Sequence, residues 1–426
     1  MATLALGKIG LVFAAMLCGL RARWDLGGTI LGGSLLLGVL FGLDLLAWGK
    51  AVLSVAEEGK LLSLCLVVAL ILIFSRVLEQ TGQSRRLMDA LLGVLRWPRV
   101  RLVFFPALIG LLPMPGGAVF SAPMVRQAGH GTQINPADQA LLNYWFRHIW
   151  ELSWPLYPGI ILAAYLAQWP LTRLICLTWP AVLLCLVLGW WFFLRPGVLS
   201  VAPQQAETST TKPVDWRRIA REGAPLVVAL GGALGLEAGL RQSHLAVDPQ
   251  WGFVVALGLG IAWSALQNRF ALKALAREIV APHVAKMVLL VLAVFVFKNV
   301  LEHAGVVEAL GGGAASGALG AVVVFLPFVV GLLSGITVAF VGATFPLLLR
   351  LMEQGVPGEA QTALLMLALF SGFTGVLLSP LHACLLLSCE FFQTSLGPVW
   401  RRLVVPAGLF FCVGAGYCGL LYWMGT

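Results

Sequence analysis

Part of this chain is written twice, and each copy is interrupted where an apolar helix should run on. Val77-Leu78-Glu79 and Gly82 recur as Val300-Leu301-Glu302 and Gly305, at an offset of 223 residues. Phe105-Pro106 and Gly110-Leu111-Leu112-Pro113 recur as Leu326-Pro327 and Gly331-Leu332-Leu333-Ser334, at an offset of 221. Both copies are apolar, and each breaks at a Pro/Gly-rich or Ser/Gly-rich point. Such a chain must set two like halves against each other. Broken apolar segments at matching places in two halves mark the binding site in membrane transporters.

The bulk composition agrees. Of the 426 residues, 59% are hydrophobic and 11% charged, whereas soluble domains carry about 25% charged residues. An ordinary soluble enzyme is excluded. Apolar runs of about 20 residues are long enough to cross a hydrocarbon core, so the chain reads as a polytopic helical membrane protein with the lipid bilayer as its partner. The net charge of +9 does not point to nucleic acid, because the basic residues sit in short loops between apolar runs. All eight cysteines fall within apolar segments and none forms a CxxC pair, which predicts free, buried thiols rather than disulfides or a metal site. GxxxxGK[ST], HExxH and GxSxG are absent from the sequence. No enzyme chemistry and no cofactor are expected, and energy for transport must come from an ion gradient.

Apolar runs place spans at 4–20 (a retained first span), 26–46 and 60–78, a hairpin at 102–125, a long broken segment at 138–166 and a span at 171–194. Residues 195–222 are polar and read as a cytoplasmic linker. The order then repeats: 223–240, 250–267, 284–303, a hairpin at 317–348, a broken segment at 360–392 and a span at 405–423. The predicted fold is all-α, with two repeats, 1–194 and 223–426. Each holds about five spans, one re-entrant hairpin and one broken helix, and 4–78 and 223–303 form the scaffold.

If each hairpin enters and leaves on one face, 20 of the 28 Lys and Arg fall on one side and 5 on the other, with Lys8, Arg147 and Lys298 inside spans. That asymmetry assigns the first side to the cytoplasm and predicts a multi-pass protein of the cell inner membrane. An odd number of crossings separates the hairpins, so the halves are inverted. The first tip then opens to the cytoplasm and the second to the outside.

Four interruptions hold the candidate site. Pro113-Met114-Pro115-Gly116-Gly117 frees backbone N–H groups to face an anion, as a helix N-terminus does; a Pro-kinked helix is the plainer alternative. Ser334-Gly335-Ile336-Thr337 offers hydroxyls suited to Na+ or a carboxylate, where close helix packing is the alternative. The segment from Asn143 to Pro158 contains Arg147, His148 and Glu151. Each charge within a span costs at least about 2.5–3.5 kcal/mol, which makes it a functional candidate. Arg147 and Glu151 are spaced i, i+4, as a structural ion pair or as a substrate-binding Arg with Glu151 or His148 moving a coupling proton. Ser379-Pro380-Leu381-His382 answers Trp154-Pro155-Leu156-Tyr157 at an offset of 225. The substrate-binding candidates are thus Pro113, Met114, Pro115, Gly116, Gly117, Asn143, Arg147, Ser334, Gly335, Thr337 and Ser379. The ion-coupling candidates are His148, Glu151, Thr374 and His382. Lys298 and Glu302, also i, i+4, read as structural or interfacial.

Three spans, a hairpin, a broken helix and a span, given twice in opposite orientation, resemble the ion transporter superfamily of gluconate, citrate, dicarboxylate and lactate symporters and some sodium/proton antiporters. The residues that carry the likeness are Leu112-Pro113-Met114-Pro115-Gly116-Gly117, Ser334-Gly335-Ile336-Thr337, Pro155 and Pro380. The stretch from Pro113 through Asn143, Arg147 and His148 to Glu151 is similar to an uncharacterised prokaryotic membrane family within it. The resemblance implies a scaffold and a transport domain, a homodimer, and a substrate held between the tips. The Ser-Asn-Thr tip of the dicarboxylate symporters is here Ser334-Gly335-Ile336-Thr337.

The expected function is symport of a small organic anion such as a carboxylate with H+ or Na+, by alternating access of the elevator type. Cation/proton antiport on the same scaffold is the second reading. An intramembrane enzyme or lipid-handling scaffold is the third.

Overall fold

Backbone polar groups in hydrocarbon must be satisfied within their own segment, which leaves the helix as the form open to each apolar run. The computed structural model describes residues 2–59, 61–91, 97–113, 117–129, 134–199, 214–243, 247–309 and 316–425, and no strand occurs among them. The first half runs through α1 (Ala2–Arg21), α2 (Leu26–Phe41), α3 (Leu45–Leu53), α4 (Leu61–Gln80), α5 (Gln83–Leu91), α6 (Pro98–Gly110), α7 (Ala118–Ala128), α8 (Pro136–Arg147), α9 (Pro158–Leu166) and α10 (Leu171–Gly189). The second half follows with α11 (Trp216–Gln242), α12 (Trp251–Gln267), α13 (Leu272–Ile279), α14 (Pro282–His303), α15 (Val306–Ala309), α16 (Ser316–Ser334), α17 (Thr337–Gly355), α18 (Gly358–Leu378), α19 (Ala383–Phe391) and α20 (Leu396–Met424).

Among the described residues, six helical stretches are long and apolar enough to cross a membrane: Leu61–Gln80, Leu171–Leu194, Trp216–Gln242, Leu272–His303, Ala360–Phe391 and Leu396–Met424. Leu26–Phe41, Trp251–Gln267 and Leu319–Ser334 are shorter apolar helices. This is a helical membrane protein.

Packing follows the chain order. α1 lies on α2 as α11 lies on α12, and α2 meets α14 as α12 meets α4. α6 pairs with α7 as α16 pairs with α17, while α7 packs on α19 as α17 packs on α9. Adding ten to a helix number in the first half converts each of these contacts into its counterpart. The helices also sort into two sets. α1, α2, α4, α11, α12 and α14 form one, and α6–α10 with α16–α20 form the other; α14 against α17 is the main contact between them.

Several boundaries differ from the expected spans for local reasons. The second span stops at Phe41 rather than at 46, because Gly42 takes a left-handed φ of +87° and Asp44 then caps α3 by accepting from the Ala47 N–H at 2.6 Å. The last span begins at Leu396 and carries Pro406 inside it. Lys298 and Glu302, read as structural or interfacial, each form an ion pair with a residue elsewhere in the chain: Lys298 meets Glu58 at 2.8 Å, and Glu302 pairs with Arg350. Of the linker, 195–199 and 214–222 lie within the described residues.

Candidate functional site

The buried centre of the second set is α8, whose residues from Ala140 to Arg147 are all buried. It starts firmly, with Asn135 accepting from the Ala137 N–H at 2.9 Å, Pro136 in the first turn and Asp138 near the positive end. It stops at Arg147, well before Pro155. Separate turns follow, including Glu151 N–H to His148 O at 3.2 Å and Ser153 N–H to Trp150 O at 2.9 Å. Pro158 then opens α9, in the first-turn place where its missing N–H costs nothing. The expected i, i+4 register of Arg147 and Glu151 therefore lapses, since Glu151 lies beyond the helix end. In the second half α18 ends at Leu378, Ser379 is extended ahead of Pro380, and α19 starts at Ala383.

Helix ends at membrane depth leave carbonyls that water cannot reach. Aromatic donors supply the missing bonds. For α6, Trp150 Nε1 donates to Ala107 O at 2.8 Å and Tyr157 OH to Gly110 O at 2.6 Å. For α18, Tyr144 OH donates to Leu377 O at 3.1 Å and Trp400 Nε1 to Leu378 O at 2.8 Å. The interruptions are thus built into the fold by donors from neighbouring helices.

The tip between α16 and α17 is only two residues long. Gly335 has φ +65° and returns its N–H to Gly331 O at 2.8 Å, and Ile336 is extended. A Cβ at Gly335 would stand 3.0 Å from both His382 Cα and Ser379 Oγ, so the tip rests on the α18–α19 break. On the first tip, a Cβ at Gly117 would overlap the Arg147 guanidinium. Met114, Pro115 and Gly116 lie outside the described residues.

Both breaks and both tips open on one cavity of about 270 Å³, lined by Pro113, Arg147, His148, Glu151, Tyr157, Ser334, Gly335, Thr337, His382 and Cys384 among others. Leu72 of α4 and Met287 of α14 close it from the other helix set, so it lies on the seam between the sets. Arg147, His148, Glu151 and Thr337 are all buried. The Thr337 hydroxyl donates to Glu151 Oε1, and Glu151 Oε2 lies 4.0 Å from His148 Nε2. His148 Nδ1 donates to Tyr144 O at 2.7 Å, which leaves its Nε2 as the lone-pair nitrogen, 2.9 Å from His382 Nε2. Residues at the start of three helices also line this space: Pro158 and Gly159 of α9, Thr337 and Val338 of α17, and Ala383 and Cys384 of α19. Helix N-termini carry partial positive charge and free N–H groups, and three of them beside Arg147 make a setting suited to an anion.

Of the sequence candidates, Pro113, Arg147, His148, Glu151, Ser334, Gly335, Thr337 and His382 come together here. Ser379 is buried just behind, its hydroxyl accepting from Leu381 N–H at 3.2 Å. Asn143 and Thr374 are not among the cavity residues. Asn143 ties α8 to α7 and α19: it donates to Ala118 O at 3.1 Å and Ser388 Oγ at 2.8 Å and accepts from Ser121 Oγ at 2.5 Å. Thr374 donates to Phe370 O within α18 at 2.7 Å. Sequence reasoning missed Tyr157 and Cys384. Tyr157 was signalled by its place between Pro155 and Pro158, and Cys384 by its place two residues after His382.

The family described as "Protein of unknown function (DUF401)" matches residues 22–204 and 245–420 of this chain. The interval between the matched blocks covers part of the polar linker and all of α11. No curated protein matches.

Proposed function

This chain belongs to the DUF401 family, and from the cavity at its helix breaks we propose that it is a secondary transporter, carrying a small organic anion such as a carboxylate in symport with H+ or Na+. The observation that carries this reading is the convergence of three helix N-termini and the buried Arg147 on one space of about 270 Å³. That space suits an anion of a few heavy atoms, near the lower limit of ordinary ligand pockets. In this reading Arg147 holds the carboxylate, and Glu151, His148 and His382 take up and release the coupling proton.

The matching of helices ten apart supports two repeats, and the charge asymmetry supports their inversion. α6 has 13 residues and α7 has 11, lengths of roughly 20 and 17 Å at 1.5 Å per residue. Neither reaches across a core of about 30 Å, which supports a re-entrant first hairpin. The seam position of the cavity supports an elevator-type mechanism, in which the set bearing both hairpins moves against the set containing α4 and α14.

Cation/proton antiport is the second reading, and one observation favours it. Because α8 ends at Arg147, Glu151 faces the cavity from a turn, with Thr337 and His148 as its neighbours. A carboxylate so placed could exchange a cation for a proton. A thermal-shift screen of organic anions on the purified protein separates the readings. Any ligand that binds the folded state raises the melting temperature, by about 2.7 kcal/mol of stabilisation at 100 times Kd. The symport reading expects a small carboxylate to protect the wild type and not Arg147→Gln. Protection by monovalent cations alone, lost in Glu151→Gln and kept in Arg147→Gln, favours the antiporter instead.

A further inference from the structure

We propose that the cavity contains a binding site for a borderline divalent cation, Zn2+ in chemical class, formed by His148, His382, Cys384 and Glu151. This goes beyond the transport reading and does not rest on it. One ring nitrogen from each histidine and the Cys384 sulfur lie within 4.8 Å of one another, and all three residues are buried. The ligands come from both breaks: His148 follows α8, and His382 and Cys384 lie at the start of α19. A CxxC-type pattern cannot reveal such a site, because its halves are 234 residues apart in sequence.

The hydrogen bonding of His148 already matches what a metal-bound histidine needs. A ligating imidazole donates its other N–H to a carbonyl or carboxylate, which fixes the tautomer and aims the free nitrogen. His148 does this through Nδ1 to Tyr144 O at 2.7 Å. Its Nε2 lone pair then points at His382 Nε2, 2.9 Å away. Two such nitrogens face each other only with a proton or a cation between them. Tetrahedral Zn2+ with bonds of about 2.0–2.1 Å needs a nitrogen separation of about 3.3 Å, so the rings need part by only a few tenths of an ångström. Glu151 Oε2, 4.0 Å from His148 Nε2, supplies the fourth ligand while its other oxygen keeps the Thr337 hydroxyl.

The donor set also selects the ion. Imidazole and thiolate nitrogen and sulfur suit Zn2+ and its borderline neighbours, whereas Na+, Mg2+ and Ca2+ require oxygen ligands. On binding, the Cys384 S–H bond breaks and an S–Zn bond forms, while the His382 proton moves from Nε2 to Nδ1 so that Nε2 can ligate. The thiol proton leaves to the bulk, and the metal stays in the +2 state. Thiolate and carboxylate together balance the cation, so the loaded site has no net charge and neither Arg147 nor the helix N-termini repel it.

The test uses purified full-length protein in detergent, titrated with Co2+ and then Zn2+. The expected result is one Co2+ per chain, tetrahedral d–d bands with a thiolate-to-cobalt charge-transfer band, and displacement by Zn2+. Cys384→Ser, nearly isosteric with the native residue, should abolish the charge-transfer band, and His382→Gln should abolish stoichiometric binding. Should His382→Gln fail to fold, the wild-type and Cys384→Ser spectra decide alone. Absence of saturable Co2+ binding, or a charge-transfer band unchanged in Cys384→Ser, would overturn the proposal. No gradient enters the measurement, so a failure of the transport reading leaves it standing.

Discussion

Replacing Gly331 by alanine probes how the second hairpin is held in place. α16 lies so close to α18 that a Cβ at Gly331 would overlap the Gly372 carbonyl oxygen and stand 3.2 Å from both Gly372 C and Val376 N. The first half repeats the contact: a Cβ at Gly110 would overlap the Arg147 carbonyl oxygen and stand 3.0 Å from Arg147 C. Arg147 and Gly372 are themselves related by the 225-residue offset of the two breaks. All the obstructing atoms are backbone, so no side-chain rotation relieves the overlap and the helices must separate. Overpacking costs about 1–3 kcal/mol, and backbone neighbours put this case at the upper end, about 3. The change from glycine to alanine within a helix returns about 0.5–1 kcal/mol, leaving a net loss of about 2. Gly320 on the same helix has nothing within 4 Å of its would-be Cβ, so Gly320→Ala gains only the helix term. The two variants should differ by about 3 kcal/mol. Thermal unfolding of the detergent-purified proteins reads that difference as several degrees between their melting temperatures. Equal melting temperatures for Gly331→Ala and Gly320→Ala would refute the close approach of α16 to α18.

Asn143→Ala should lower stability by about 2–3 kcal/mol, because it removes three buried hydrogen bonds joining α7, α8 and α19; the melting temperature should fall while protection by a bound anion persists. Thr337→Val keeps the shape of the side chain but strands one Glu151 oxygen, so ligand protection should shift its pH dependence without loss of the folded state, as read by melting curves across pH. Single cysteines at Pro113 and Ser334, both lining the cavity, should be labelled by a membrane-impermeant maleimide from opposite sides of the bilayer; labelling of both from one side would contradict the inverted arrangement.

The helical class and the breaks near Pro155 and Pro380 were legible because apolar length and proline act locally. The meaning of the first break was only half legible. Pro155 and Pro158 predict an interruption, yet α8 stops at Arg147, where Tyr157 and Trp150 turn their polar atoms to the end of α6. That choice depends on carbonyls some 40 residues away and leaves no mark in the local pattern. The same reason hid the helix-joining role of Asn143, read from sequence as a substrate ligand, because its hydrogen-bond partners sit on other helices. Short helices such as α3 and α13 also escaped, since Asp44 begins the first inside what reads as a continuous run and the second lies in the gap between the expected spans 250–267 and 284–303. Cys384 read as one more apolar-segment thiol because its neighbour His148 is brought to it only by tertiary packing.

The central claim is that the cavity at the two helix breaks is the binding site of an ion-coupled anion transporter. Uptake of radiolabelled small carboxylates into proteoliposomes, with and without an imposed proton or sodium gradient, tests it directly. The account predicts gradient-driven accumulation by the wild type, lost in Arg147→Gln although that protein reconstitutes normally. Absence of gradient-driven uptake of any organic anion, beside robust cation exchange, would contradict it.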